Sequence, residues 1–386
     1  MESLEHFYRD TWVEVNLDYI RENIVHMKSR LPNNVEMIAV VKANGYGHGD
    51  YQVAKIALES GVSGLAVAFL DEALSLREKG IDAPILVLGA TKPEYVNIAA
   101  KNNIVLTVFQ EEWIRSAKEM LSKNLTISIH LKLDTGMGRI GIRDISTLKK
   151  IEELIQEDKR IQLDGVFTHF ATADSLDLGY YYEQLELFKR MIDSLKIEPR
   201  IIHASNSAAS LRESTALFNC IRYGIAMYGL SPSPEIRTEL PFSLKESFSL
   251  RTKLVHVKKL NPGDKVSYGA TYEAQEEEWI GTLAIGYADG WIRKLQGKEV
   301  LVNGMRVPIV GRICMDQCMV KLPYDIPVGT IVTLIGRDQN EFISVDELAE
   351  FLDTINYEIP CLISNRVPRV YIKDGHPIDV NNPILR

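Results

Sequence analysis

Cysteine is scarce in this 386-residue chain: four residues, Cys220, Cys314, Cys318 and Cys361, scattered through its second half. A disulfide framework needs more of them at tighter spacing, so a reducing, cytoplasmic setting is expected. Cys314 and Cys318 have no second pair or histidine close by in sequence, which argues against zinc or any other metal there. Positive charge is also short, with 44 Lys+Arg against 52 Asp+Glu and a formal net charge of -8. That balance offers no electrostatic footing for nucleic acid or for an anionic membrane. Long apolar runs are missing, so no segment reads as a bilayer span. The opening MESLEHFYRD lacks a basic segment followed by an apolar one, and no secretory signal is expected. Low-complexity tracts are absent as well.

What is present is a length suited to two domains and, at 46% hydrophobic residues, a sizeable core. Up to about residue 230, β-branched runs alternate with amphipathic helical patterns. The runs are VEMIAVVK, GLAVAF, APILVLG, NIVLTVF, TISIHLKLD, LDGVFTHF, RIIHAS and FNCIRYG. The helical patterns include DYQVAKIALESG, LDEALSLREKG, QEEWIRSAKEMLSKN and GYYYEQLELFKRMIDSLK. In LDEALSLREKG, Leu70, Ala73, Leu74 and Leu76 approximate one face, and Gly80 suits the stop. Eight such units fit a (β/α)8 barrel, whose usual size is ~250 residues. A doubly wound open sheet has the same periodicity. At SPSPEIRTELP the pattern breaks, predicting domains 1–240 and 241–386. The second reads as mainly β, with strands in FSLRTKLVHVKKL, KVSYGATY, WIGTLAIGY, EVLVNG, RVPIVGR and IVTLIGR. A hairpin is expected at Asn303-Gly304 and a short helix at SVDELAEFLD.

In a barrel, chemistry collects at the carboxyl ends of the strands. There the runs deliver Lys42 with a Gly-rich turn, Lys132, Asp134 and the loop to Arg139, His169, then His203 with Asn206 and Ser207, and finally Arg222 with Gly224. A desolvated lysine is a nucleophile toward carbonyls, and flanking glycines let backbone approach a ligand. VVK also suits a strand-end lysine reaching to solvent. Ser207 opens a predicted helix whose amides could hold phosphate, with Gly224 as a second approach; a plain Asn or Ser cap fits equally. Arg222 reads as a donor to a ligand nitrogen or as a salt-bridged rim residue. His169 reads as a base, a stacking ring or a core histidine.

VVKANGYGHG, LKLDTGMGRIG, THFATAD, ASNSAAS, RYGIAMYGL, VSYGATY, IGYADG, VGRICMDQ and NYEIPC, in this order along nearly the whole chain, strongly resemble alanine racemases of the bacterial type. Gly45 departs from the pattern, which commonly has alanine there, and is expected to loosen the turn slightly. Tyr223 occupies a position that the family varies.

The resemblance implies a pyridoxal 5′-phosphate barrel followed by a β domain that contributes to the partner subunit's active site in a homodimer. It implies racemisation of L- and D-alanine, supplying D-alanine for peptidoglycan. Lys42 would carry the cofactor covalently and act as one base. Tyr268, from the partner, would be the other, aided by His169 and Arg222. Arg222 would face the cofactor's ring nitrogen, oriented by His203. Tyr46, Asn206, Ser207, Gly224, Ile225 and Tyr357 would hold the cofactor, mainly at its phosphate. Arg139 and, from the partner subunit, the Met315 amide would take the substrate carboxylate, flanked by Cys314 and Asp316. Lys132 matches a lysine that some members carry as a carbamate. Asp174, Tyr287, Arg293 and Arg312 match the lining of a narrow substrate corridor. Alternatives are a barrel-type pyridoxal phosphate decarboxylase of basic amino acids, for which Cys314 could be the acid, and a non-catalytic pyridoxal phosphate-binding protein. The length of the second domain counts against the latter.

Overall fold

The computed structural model describes residues 7–385. Its contacts divide the chain into two compact units. One contains Arg21–Gly45 and Asp50–Leu244. The other contains the stretch up to Ile20, the loop Tyr46–Gly49 and the chain from Lys245 on.

The first strand, β1 (Thr11–Asn16), belongs to the second unit. The barrel unit is built on β2 (Glu36–Val40), β3 (Gly64–Val67), β4 (Ile85–Ala90), β5 (Ile104–Val108), β6 (Ile127–Lys132), β7 (Ile161–Phe167), β8 (Ile201–His203) and β9 (Cys220–Tyr223). These eight close into a barrel in sequence order, and β9 pairs in parallel with β2, Met37 opposite Ile221. The open-sheet alternative is therefore excluded. Short runs of Val, Ile, Leu and Ala suit strands buried on both faces. The helices between them bury one stripe each. In Leu70–Glu78 that stripe is Leu70, Ala73 and Leu76, while Leu74 stays half-buried. Asp144 caps Ile145–Gln156 by accepting from Thr147 N at 2.9 Å.

The β unit is one ten-stranded sheet plus a two-stranded ribbon. After the linker come β10 (Phe248–Leu260), β11 (Lys265–Val266), β12 (Tyr272–Glu273), β13 (Glu278–Leu283), β14 (Glu299–Val302), β15 (Met305–Val310), β16 (Cys318–Leu322), β17 (Ile331–Asp338), β18 (Glu341–Ile343), β19 (Arg369–Lys373) and β20 (His376–Asn381). The long β10 pairs with β1, β13 and β17, and β1 pairs in parallel with β19. Val302 faces Met305 across the β14–β15 hairpin, with Asn303 and Gly304 at φ 50° and 76°, the turn their residue types predict. The expected helix is Val345–Leu352, capped by Ser344.

Two local expectations fail. KVSYGATY is not one strand: only Lys265–Val266 and Tyr272–Glu273 pair, and Tyr268–Ala270 is a tight helical turn between them. VVK does not run as strand to Lys42, because β2 ends at Val40. Among the described residues, no helix is long and apolar enough to cross a membrane, and no group of three or more His, Cys, Asp or Glu side chains could hold a metal.

Candidate active site

Lys42 opens a turn of unusual hand. Ala43, Asn44, Gly45 and Tyr46 have φ of 54°, 53°, 60° and 52°. Each non-glycine residue there costs ~1–2 kcal/mol of steric strain. Hydrogen bonds offset it. Gly45 N donates to Val41 O at 2.9 Å, Ala43 N donates to the Glu72 carboxylate at 2.7 Å, and Asp50 N donates to Asn44 Oδ1 at 3.1 Å. Gly45 thus sits where glycine carries no steric penalty, so the residue expected to loosen the turn relieves strain in it. Such over-determined strain belongs at functional sites, and here it fixes the direction in which half-buried Lys42 leaves the strand.

The barrel interior then departs from the usual packing of apolar layers. Lys132, His203 and Arg222 are all buried. The Arg222 guanidinium donates to His203 Nδ1 at 2.6 Å, to the carbonyls of Thr168 and Ala204 at 2.8 and 2.9 Å, and to His169 Nδ1 at 3.3 Å. Burial lowers its pKa only to about 10, so it stays charged at neutral pH. Phe167 stacks on His203 with ring centroids 4.7 Å apart, and Lys132 Nζ lies 4.6 Å over the same Phe167 ring. Burial, reinforced by Arg222 and Arg139, pushes the Lys132 amine well below its ordinary range. Burial does the same to His169, which also feels Arg222, Lys132, Arg139 and Lys42. The charged groups of Arg222, Arg139 and Lys42 and the buried Lys132 amine thus all act on this imidazole, Arg222 directly at 3.3 Å.

Ser207 begins the helix Ser207–Arg212 and is buried. Its Oγ accepts from Gly224 N at 3.0 Å and from Ala226 N at 3.4 Å, which brings the β8 and β9 loops together beside Ile225. Asn206 caps this helix, its Oδ1 accepting from Ala209 N at 3.0 Å. Arg139 is exposed on its loop, with buried Asp134 bracing that loop through Gly136 N and Gly138 N. Asp174 is half-buried, and burial raises its carboxyl pKa.

A second group of candidates lies on the β unit. The Tyr46 and Tyr357 rings meet at 6.3 Å between centroids. Tyr268 stands 72% exposed on a rigid base. Ser267, before it, has φ 68° and donates from Oγ to Arg312 O at 2.6 Å. Cys314 lies 3.5 Å from the same hydroxyl, and Val266 and Tyr272 join a small core with Ile280, Val310 and Met319. Tyr287 N and Ala288 N donate to the carbonyls of Cys314 and Met315 at 3.0 Å each, so these loops form one surface. Gly286 makes this possible, since a Cβ there would come within 2.3 Å of Cys314 O. Met315, Asp316 and Arg293 are exposed, and Asp316 accepts from Arg366 Nη2 at 2.8 Å.

His130 and Asp164 carried no motif, yet both join the buried network that reaches Arg222. The available signal was parity: in SIHLK, His130 has the same strand parity as Lys132 and so the same, interior face.

The residues of the barrel end suit a pyridoxal phosphate group. They supply a half-buried lysine for an aldehyde, a fixed arginine for a ring nitrogen, and an excess of positive charge for a phosphate and a carboxylate.

Residues 15–232 match the family model of the alanine racemase N-terminal domain, and residues 247–371 match that of the C-terminal domain. The chain is 56% identical over 383 residues to an alanine racemase of Geobacillus kaustophilus, covering 99% of this chain and 100% of that one. It is 56% identical over 380 residues to the alanine racemase of Geobacillus stearothermophilus, with 98% of each covered. It superposes at a TM-score of 0.96 and 53% identity on a Bacillus anthracis alanine racemase solved with bound L-Ala-P, covering 98% of this chain and 99% of that one.

Proposed function

The chain belongs to the alanine racemase family, and from that premise we propose that it interconverts L- and D-alanine with pyridoxal 5′-phosphate, Lys42 and the partner subunit's Tyr268 being the two bases. The observation that carries this is the buried cluster of Arg222 with His203, His169 and, across the Phe167 ring, Lys132, in a chain so similar to alanine racemases over its full length.

When bound, the cofactor withdraws electrons from the substrate's α-carbon and makes its proton removable. The rest falls to the chain. Lys42 holds the cofactor and moves a proton at one face of that carbon. The Tyr268 phenol oxygen moves a proton at the opposite face. A phenol standing in water is a poor base near neutrality. Tyr268 therefore acts only where a second copy of the chain covers it, which is the reason to read the protein as a homodimer. Arg222 keeps its proton and would face the ring nitrogen of the bound cofactor as a donor, which would restrain side reactions. Ser207, Gly224, Ile225, Tyr46 and Tyr357 hold the phosphate, with Asn206 shaping the loop. Arg139 and the Met315 amide bind the carboxylate. A neutral, buried Lys132 amine can add carbon dioxide with loss of one proton, and the resulting carbamate would orient Arg139. Asp174, Tyr287, Arg293 and Arg312 line the corridor beside Cys314 and Asp316. The reading places the enzyme in the cytoplasm, with the barrel (1–240) as cofactor domain and 241–386 completing the partner's site, and with D-alanine passing to peptidoglycan.

The test is incubation of each alanine enantiomer with the cofactor-loaded protein in deuterated water. Inversion with deuterium at the α-carbon is expected. A protein that neither exchanges nor inverts either enantiomer refutes the proposal. Carbon dioxide release from lysine, ornithine or arginine would point instead to the decarboxylase alternative.

A further inference from the structure

A line of hydrogen bonds runs through the barrel from its floor to Arg222. Arg222 Nη1 donates to His203 Nδ1 at 2.6 Å. His203 Nε2 lies 2.9 Å from His130 Nδ1, and His130 Nε2 lies 3.2 Å from Asp164 Oδ2. Arg200 closes the line, donating to both Asp164 oxygens at 2.9 and 3.0 Å.

The direction of donation is forced. A guanidinium can only donate, so His203 Nδ1 must accept. The proton of neutral His203 is then on Nε2, and His130 Nδ1 must accept it. His130 in turn carries its proton on Nε2 and donates to the carboxylate. Either imidazole in its other tautomer, or protonated, would set two N–H groups against each other in a buried space. Burial keeps both rings neutral, and the bonds from His130 and Arg200 hold the Asp164 carboxyl well below the usual carboxylate range. Among the described residues, no carboxylate pairs directly with Arg222, whose acceptors are carbonyls and imidazoles. The anion at the end of its line is Asp164, two imidazoles away.

The backbone is built around this line. The ladder pairs Ile129 with Leu163 but His130 with Gly165, so Asp164 is an extra, bulged residue. Bulges of this kind re-aim side chains beside functional sites. Gly165 supplies the room, because a Cβ there would come within 2.6 Å of His130 Cε1. On the floor side, His130, Asp164 and Arg200 border a cavity of 180 Å³ shared with Glu36.

The geometry points to His130 and Asp164 as positioning residues: His130, anchored by Asp164, accepts the Nε2–H that Arg222 leaves on His203, which holds the His203 ring and, through it, the orientation of Arg222, so that the group facing the cofactor nitrogen is set from the barrel floor. This rests on the reading of Arg222 given under Proposed function.

The test compares His130→Phe, which removes the acceptor, with His130→Gln, whose amide oxygen can replace it. Histidine nitrogen NMR on the isotope-labelled, cofactor-loaded protein reads the hydrogen bond of His203 Nε2–H, and steady-state kinetics read kcat and KM. In His130→Phe the Nε2–H signal is expected to shift as its bond is lost and kcat to fall roughly 10- to 100-fold, the range for losing the outer partner of a metal-bound histidine. KM should change little, and His130→Gln should restore the signal and most of kcat. If His130→Phe does not fold, Asp164→Ala, at the accessible end, should shift both ring signals and lower kcat several-fold. An unchanged His203 Nε2–H signal in a folded variant overturns the relay. A shifted signal with unchanged kcat leaves the relay in place and instead overturns its link to Arg222 as the group facing the cofactor.

Discussion

The two units carry their candidate residues in opposite ways. The barrel buries its central ones: Lys132, His203 and Arg222 are each 3% exposed or less, with Lys42 half-buried and Arg139 exposed at the rim. The β unit sets them in water: Tyr268, Met315 and Tyr287 are 72%, 53% and 41% exposed. Burial lets one chain tune its own groups, because desolvation and neighbouring charges act strongly only where water is excluded. The exposed set has its backbone fixed by the φ 68° at Ser267 and by the packed loops at Gly286, while its side chains stay largely in water. On the proposed reading, such a set becomes chemical only when a second copy of the chain covers it.

That contrast can be broken at its most exposed point. Tyr268→Phe should lower turnover by about 10²- to 10⁴-fold, the usual worth of a general acid–base. The cofactor should stay bound, and the unfolding free energy should stay within about 0.5 kcal/mol of the parent, since nothing buried is lost. Deuterium uptake measured from each enantiomer would show which direction suffers more. Near-normal rates both ways would remove Tyr268 from the reaction.

The buried counterpart behaves differently. Arg222→Ala should reduce turnover and stability together, by about 3 kcal/mol in denaturant unfolding, because the carbonyls of Thr168 and Ala204 lose their donor. A variant inactive but fully stable would show that the barrel interior does not depend on this cation.

Acid should separate the two units as well. His130 and His203 have pKa values lowered by burial, so below the ordinary value near 6.5 the unfolded chain binds more protons than the folded one. Their contribution is then fully present above pH ~6.5 and is lost as pH falls below it, by up to roughly 1.4 kcal/mol per pH unit for each ring. Unfolding followed across that range should show this slope, and His130→Gln should reduce it by one ring's share. Gly45→Ala should have the smallest effect, about 1 kcal/mol of stability, from placing a Cβ at φ 60°. A gain in stability would mean that the left-handed turn is not strained.

Much of this was legible in the sequence. The apolar runs and their intervening helices locate all eight barrel strands, and Asn303-Gly304 marks its hairpin because a turn with two positive φ values selects those residues. The motifs also named Lys42, Arg139, Arg222 and Tyr268 as candidates. The left-handed turn after Lys42 was not readable, since Ala and Tyr ordinarily avoid it and bonds to Glu72, Val41 and Asp50 help to hold it there. The strand-like VSYGATY misled because Tyr and Thr favour strands, whereas Ser267 is held in a strained conformation by its bond to Arg312.

By itself, then, the sequence determined the eight alternating strand and helix units, the mainly β unit and the identity of the candidate groups, because periodicity and residue chemistry are local properties. Only the tertiary structure decided which of those groups are dry. It also decided that His130 and Asp164 stand in line with Arg222, because a single bulged residue in β7 and the missing Cβ of Gly165 make room for a side chain of β6, a contact between residues far apart in the chain.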